Sequence, residues 1–131
     1  MTTTTDTATV VRAVYDAFGL GDIPTVLEAF DPEIVWIEST GLIRGTYRGP
    51  QGVLEGVFVP IGNDWEGFTV ETERLVAQGD VVVAVGTYRG TYRATGTAMT
   101  SRFAHVWQMR DGRIVHFEQI ADTESFNAAL S

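Results

Sequence analysis

Neither cysteine nor lysine occurs anywhere in the 131-residue chain. Without cysteine there are no disulfides, no thiolate nucleophile and no zinc–thiolate site. Without lysine the nine basic side chains are all arginines, set against 17 acidic ones for a net charge of −8. A phosphate-binding surface draws on clustered cations, so this balance argues against a nucleic-acid partner. No apolar run approaches the roughly 20 residues that cross a bilayer. The opening MTTTTDTAT has neither a basic nor an apolar signal-peptide region, so a cytoplasmic protein with a disordered tail over residues 1–6 is expected. The two histidines, His105 and His116, come without carboxylates at metal-ligand spacing. No G-x-S-x-G elbow, P-loop or dinucleotide fingerprint is present, so no metal or cofactor is implied.

The length fits one domain, residues 1–131, able to bury about 65–70% of its unfolded surface. A helix is expected over Thr7–Phe18, where Ala8, Val11, Val14, Tyr15 and Phe18 make one apolar stripe ended by Gly19 and Gly21. Asp22 then caps a short helix with Pro24 in its first turn, and Asp31-Pro32 closes it. Ile34–Glu38 reads as a strand with Ile34, Trp36 and Glu38 on one side. The glycine-rich stretch Ser39–Gly49 reads as a loop, with room for a short extended piece, able to act as a pocket lid. Pro50 opens a third helix that Pro60 ends near Val59, and Ile61–Gly67 is a connecting turn.

After this the pattern changes to four strands, Phe68–Gln78, Val81 to about Thr95, Ala98–Met109 and Arg113–Ala121, and a last helix over Thr123–Leu130. Short turns between long strands predict a strongly curved antiparallel meander. Arg89 and Arg93 read as solvated side chains that discourage edge pairing. Helices first and a curved sheet afterwards define an α+β cone whose open end leaves an internal cavity.

The chemistry concentrates in FAHVWQMRDGRIVHFEQIAD, residues 103–122. His105 alternates with Phe103, Trp107 and Met109, and Asp111-Gly112 is a tight-turn signal. His116, Glu118 and Asp122 follow on the returning strand. An imidazole and carboxylates beside apolar surface are candidate proton-transfer groups, because desolvation raises a carboxylate's pKa and lowers that of histidine. Each has a plainer reading: Asp122 as a helix N-cap, His105 as a satisfied core histidine, His116 and Glu118 as solvated strand positions. Trp36, Trp107, Tyr15, Phe58 and Phe103, with Glu118, are the candidate substrate contacts, in a fold where core and cavity wall use the same residue types.

YDAFGLGDIPTVLEAFDPEIVWIE near the start and HVWQMRDGRIVHFEQIADT near the end resemble the SnoaL-like branch of the nuclear transport factor 2-like, ketosteroid isomerase-related superfamily. The resemblance covers nearly the whole chain and implies a cone with a homodimer formed through its sheet. Asp122 falls where SnoaL-type polyketide cyclases carry their acid/base aspartate, and His105 lies on the strand of their pocket histidine. Glu38 matches the general-base position of ketosteroid isomerase, whose tyrosine donor falls on Val14, one residue before Tyr15. The expected function is cofactor-independent proton transfer on an apolar carbonyl compound, as in aldol cyclisation, isomerisation or dehydration. Asp122 would take the proton, His105 would serve the enolate oxygen, and Glu38 is the alternative base. A non-catalytic binder of an apolar molecule is the alternative, as is an epoxide hydrolase-like enzyme, although Arg102 lacks an aspartate two residues away.

Overall fold

The computed structural model describes residues 4–131, with side chains from residue 7. Helix α1 runs over Thr4–Gly19, so only residues 1–3 of the expected tail lie outside the described residues. Val11, Val14 and Ala17 form its buried stripe, and Gly21 ends the turn at φ +74°, a left-handed conformation that costs glycine little. Helix α2 (Ile23–Glu28) starts on Asp22, whose carboxylate accepts from Thr25 N–H at 3.3 Å.

Six strands form one sheet in the order β2-β1-β6-β5-β4-β3. They are β1 (Phe30–Glu38), β2 (Gly45–Arg48), β3 (Trp65–Gln78), β4 (Val81–Tyr92), β5 (Thr97–Arg110) and β6 (Arg113–Ala121). The expected meander is β3 to β6, all antiparallel, but β1 joins β6 in parallel and makes the sheet mixed. The curl has a local cause at Gly86. A Cβ there would lie 2.2 Å from the Glu71 carbonyl and 2.6 Å from the Phe103 ring, beside a slip in the β3–β4 ladder between Thr72 and Arg74. Arg89 stands on an interior strand, not an edge, and pairs with Glu71 at 3.0 Å on the solvent side.

The third helix differs from expectation. It continues past Pro60: α3 (Gly49–Val53) passes through a π-turn (Leu54–Phe58) into α4 (Val59–Asp64), and β3 starts at once with Trp65. Val59 N–H reaches back to the Leu54 carbonyl across five residues. This wider turn makes room for the proline ring, which would clash in a regular helix interior.

At the β5–β6 hairpin, Asp111 (φ +53°) and Gly112 (φ +80°) both adopt the left-handed geometry of a two-residue turn. Helix α5 (Thr123–Ala128) closes the chain. Two apolar clusters support the cone. One gathers Val11, Phe30, Ile34, Trp36, Trp107 and Phe117 beneath α1. The other gathers Trp65, Tyr88, Met99, Phe103 and Phe126. Among the described residues no helix is long and apolar enough to cross a membrane.

Candidate active site

Residues from both clusters wall a cavity of about 570 Å³, its open mouth included. The π-turn lends Val57 and Phe58 to the wall, α1 lends Val14, Tyr15 and Phe18, and α5 lends Phe126. The polar groups within this apolar lining are few: Tyr15, Glu38, Thr40, Tyr88, His105 and Gln119. Among the described residues that line it there is no arginine.

Glu38 ends β1, two residues after Trp36, so both side chains point inward. Trp36 Nε1 donates to Glu38 Oε1 at 2.8 Å. Oε2 is buried and has no hydrogen-bond partner. Burial outweighs the single indole bond and raises the carboxyl pKa to about 7, so both protonation states are populated near neutrality. Glu38 lines a cavity open at one end, a setting in which a half-satisfied acid can persist.

His105 stands between two tyrosines. Its Nδ1 is hydrogen-bonded to Tyr15 Oη at 2.6 Å and its Nε2, at shorter range, to Tyr88 Oη. Trp107 Nε1 donates to Tyr15 Oη at 2.9 Å, and Gln119 Nε2 donates to Tyr88 Oη at 2.8 Å. The Gln119 amide is oriented by its other end, where Oε1 accepts from Ser39 N–H at 3.0 Å. Burial holds the His105 pKa to about 3, so the ring is neutral. Burial likewise pushes Tyr15 and Tyr88 up, the latter raised further by the Glu38 charge.

Counting protons gives this chain a chemical property. A neutral imidazole carries one N–H and one bare nitrogen. It therefore accepts a hydrogen bond from one tyrosine hydroxyl and donates one to the other. The receiving oxygen then accepts two N–H bonds, and its own O–H is left free for a group in the cavity. The His105 tautomer sets which tyrosine keeps the free O–H, and protonation on Nε2 leaves it at Tyr88.

Not all the expected site residues meet. Tyr15, Trp36, Glu38, Phe58, His105 and Trp107 line the cavity. Asp122 does not: it is exposed and caps α5, accepting from Ser125 N–H at 3.2 Å and Ser125 Oγ at 2.7 Å. Those bonds lower its pKa, the reverse of what a neutral-pH base needs. Phe103 lies behind the wall, stacked on Tyr88 and His105 with ring centroids at 4.4 and 4.1 Å. Glu118 points outward and Gln119 inward, because a bulge at Val115 shifts the ladder from Met109–Ile114 to Gln108–His116. Arg102 is exposed and bonds Glu73 and Thr87, away from the cavity, which removes the basis for an epoxide hydrolase-like relay.

Tyr88, Gln119 and Thr40 were not singled out from sequence. Tyr88 had a legible signal, since it continues the inward alternation Val82, Ala84, Gly86.

A curved sheet folded round helices, with an apolar cavity holding a few polar groups, defines the NTF2-like class. A SnoaL-like domain model matches residues 11–117, and the chain belongs to this SnoaL-like family. An NTF2-like protein of Burkholderia thailandensis is 36% identical, with 95% of this chain and 97% of that one covered and a TM-score of 0.92. TerC, co-crystallised with polyporic acid, is 29% identical over 95% of this chain and 98% of its own, with a TM-score of 0.86. IdmH of Streptomyces antibioticus, a proposed polyketide cyclase, is 26% identical over 95% and 97%, with a TM-score of 0.78. No curated protein matches the sequence.

Proposed function

We propose that this protein is a cofactor-independent enzyme that transfers a proton on a mostly apolar, carbonyl-containing small molecule. The carrying observation is that a buried carboxylate with a free oxygen shares its cavity with a tyrosine–histidine–tyrosine chain that has one uncommitted hydroxyl proton. Glu38 Oε2 takes a proton from the carbon next to the carbonyl. The electron pair moves to the carbonyl oxygen, and Tyr88 Oη–H donates to the enolate as it forms. Return of the proton to another carbon is isomerisation, attack of the enolate on a second carbonyl is aldol cyclisation, and loss of a β-hydroxyl is dehydration. His105 keeps both nitrogens on tyrosines and acts by positioning them. Likeness to a proposed polyketide cyclase supports enolate chemistry of this kind.

Acid/base help of this sort contributes about 10²- to 10⁴-fold and an oxyanion donor about as much. The test is deuterium exchange, in D₂O, of the protons next to the carbonyl of an aryl ketone such as tetralone. Exchange is expected to fall about 10²-fold or more in Glu38→Gln, at least about tenfold in Tyr88→Phe, and not at all in Asp122→Asn. Exchange that is unaltered in a folded Glu38→Gln protein would overturn the assignment. Tight ketone binding without exchange would leave a binding protein in its place.

The same reading includes a homodimer in the cytoplasm. The outer sheet face carries half-buried Val83, Val85, Ala104 and Val106 beside exposed Ile120, an apolar patch suited to a second copy. Sedimentation at several concentrations checks this, and a persistent monomer counts against it.

A further inference from the structure

Glu38 and its surroundings bear on a ligand class that proton transfer does not require. Glu38 lines the wall of an open cavity, and its buried Oε2 has no hydrogen-bond partner. The other ionisable side chains on that wall are Tyr15 from α1, Tyr88 from β4 and His105 from β5. Tyr47, on β2, also feels the Glu38 charge. The three tyrosines are held above their usual range and the histidine well below its own, so all four are neutral near pH 7. Among the described residues, the ionised cavity therefore carries a single negative charge with no positive group to answer it. Its remaining lining is largely aromatic and aliphatic, including Phe18, Trp36, Phe58 and Phe117. Aromatic faces and a carboxylate together are the combination that stabilises an organic cation removed from water. An organic anion would meet like charge and no cationic partner.

We propose that the cavity binds lipophilic monocations, with an alkylammonium head against Glu38 Oε2 and the hydrocarbon part along the aromatic wall. Binding is linked to the acid: a cation pairs with the carboxylate and displaces its proton, so affinity rises with pH until Glu38 is fully ionised. The inference uses Glu38's position but does not depend on the catalytic reading. An amine-bearing compound of suitable size would compete with a carbonyl substrate for the same space.

Three probes of one shape and different charge test it on the full chain: benzyltrimethylammonium, its neutral isostere neopentylbenzene, and phenylmethanesulfonate. Tryptophan fluorescence can report binding, since Trp36 and Trp107 line the cavity. From about pH 5 to about pH 8.5, the quaternary cation, which cannot itself titrate, is expected to bind roughly tenfold tighter or more. The neutral isostere should show no such rise, and the sulfonate should bind weakest. In Glu38→Gln the cation should lose the pH slope while the neutral probe still binds, which also shows that the cavity has formed. Should that variant not fold, the wild-type contrast between cation and isostere decides alone. A cation that binds no tighter than its isostere at about pH 8.5, or a slope that survives in Glu38→Gln, would overturn the proposal. Ketone exchange that fails while the cation slope holds would remove only the catalytic reading, and the converse only this one.

Discussion

Glu38 and Asp122 carry the same functional group in opposite surroundings. One keeps a single indole bond and loses its water, and its pKa rises; the other sits in solvent and accepts two bonds from Ser125, and its pKa falls. Replacing Asp122 by alanine is expected to lower Tm by a few degrees through loss of the cap while leaving ligand binding at the cavity unchanged, as a thermal melt and a binding titration would show. His105 should remain uncharged down to about pH 4 because its folded pKa is about 3. Its ¹⁵N resonances should show a protonated Nε2 and a bare Nδ1, and a ring that titrates near neutrality would refute the proton count. Both readings of Asp122, cap and catalyst, were open in the sequence, because an aspartate ahead of Thr-Glu-Ser satisfies a helix start whatever lies nearby.

At the scale of elements, two small irregularities shape the site. The bulge at Val115 decides that Gln119, not Glu118, stands opposite His105. Counted from the Asp111-Gly112 turn without it, Glu118 would stand opposite His105. The second irregularity is the π-turn, where Gly56 admits the Tyr47 ring: a Cβ there would lie 2.2 Å from it. Tyr47 Oη in turn donates to the Ile43 carbonyl at 2.6 Å and holds the loop at the cavity mouth. Gly56→Ala is expected to cost about 1–3 kcal/mol in urea unfolding and to loosen that loop, seen as faster amide exchange around Ile43. The main helices and the long strands were legible because each segment's hydrophobic period is local, whereas β2, inside the expected Ser39–Gly49 loop, has no such period and forms by pairing with β1. The π-turn, the bulge and the helix running past Pro60 were not, because neighbouring elements impose them.

Across the whole molecule, Glu38 and His105 set opposing pH dependences of stability in the acid-to-neutral range. Glu38's folded pKa of about 7 lies above the ordinary 4.5, so its contribution is full below pH 4.5 and is lost as pH rises through 7. His105's folded pKa of about 3 lies below the ordinary 6.5, so its contribution is full above pH 6.5 and is lost as pH falls toward 3. Where the windows overlap, between pH 4.5 and 6.5, the slopes cancel, each about 1.4 kcal/mol per pH unit at most. Urea unfolding of the wild type should therefore change little there, whereas Glu38→Gln should gain stability as pH rises. A flat profile in that variant would count against the burial assigned to His105.

The amino-acid sequence by itself determined the helices, the long strands, their turns and the inward faces of Trp36, Glu38, His105 and Trp107, since periodicity and capping act over a few residues. Only the tertiary structure decided which ionisable groups share a cavity. It brought Tyr15 and Tyr88 onto one imidazole from two distant helix and strand elements and set Gln119 on Tyr88, left Glu38 Oε2 unpaired in the same cavity wall, and sent Asp122 to the surface. The reason is physical: a pKa and a hydrogen-bond partner depend on solvent exclusion and on distances between remote strands, which sheet curvature and a one-residue bulge set only once the chain has folded.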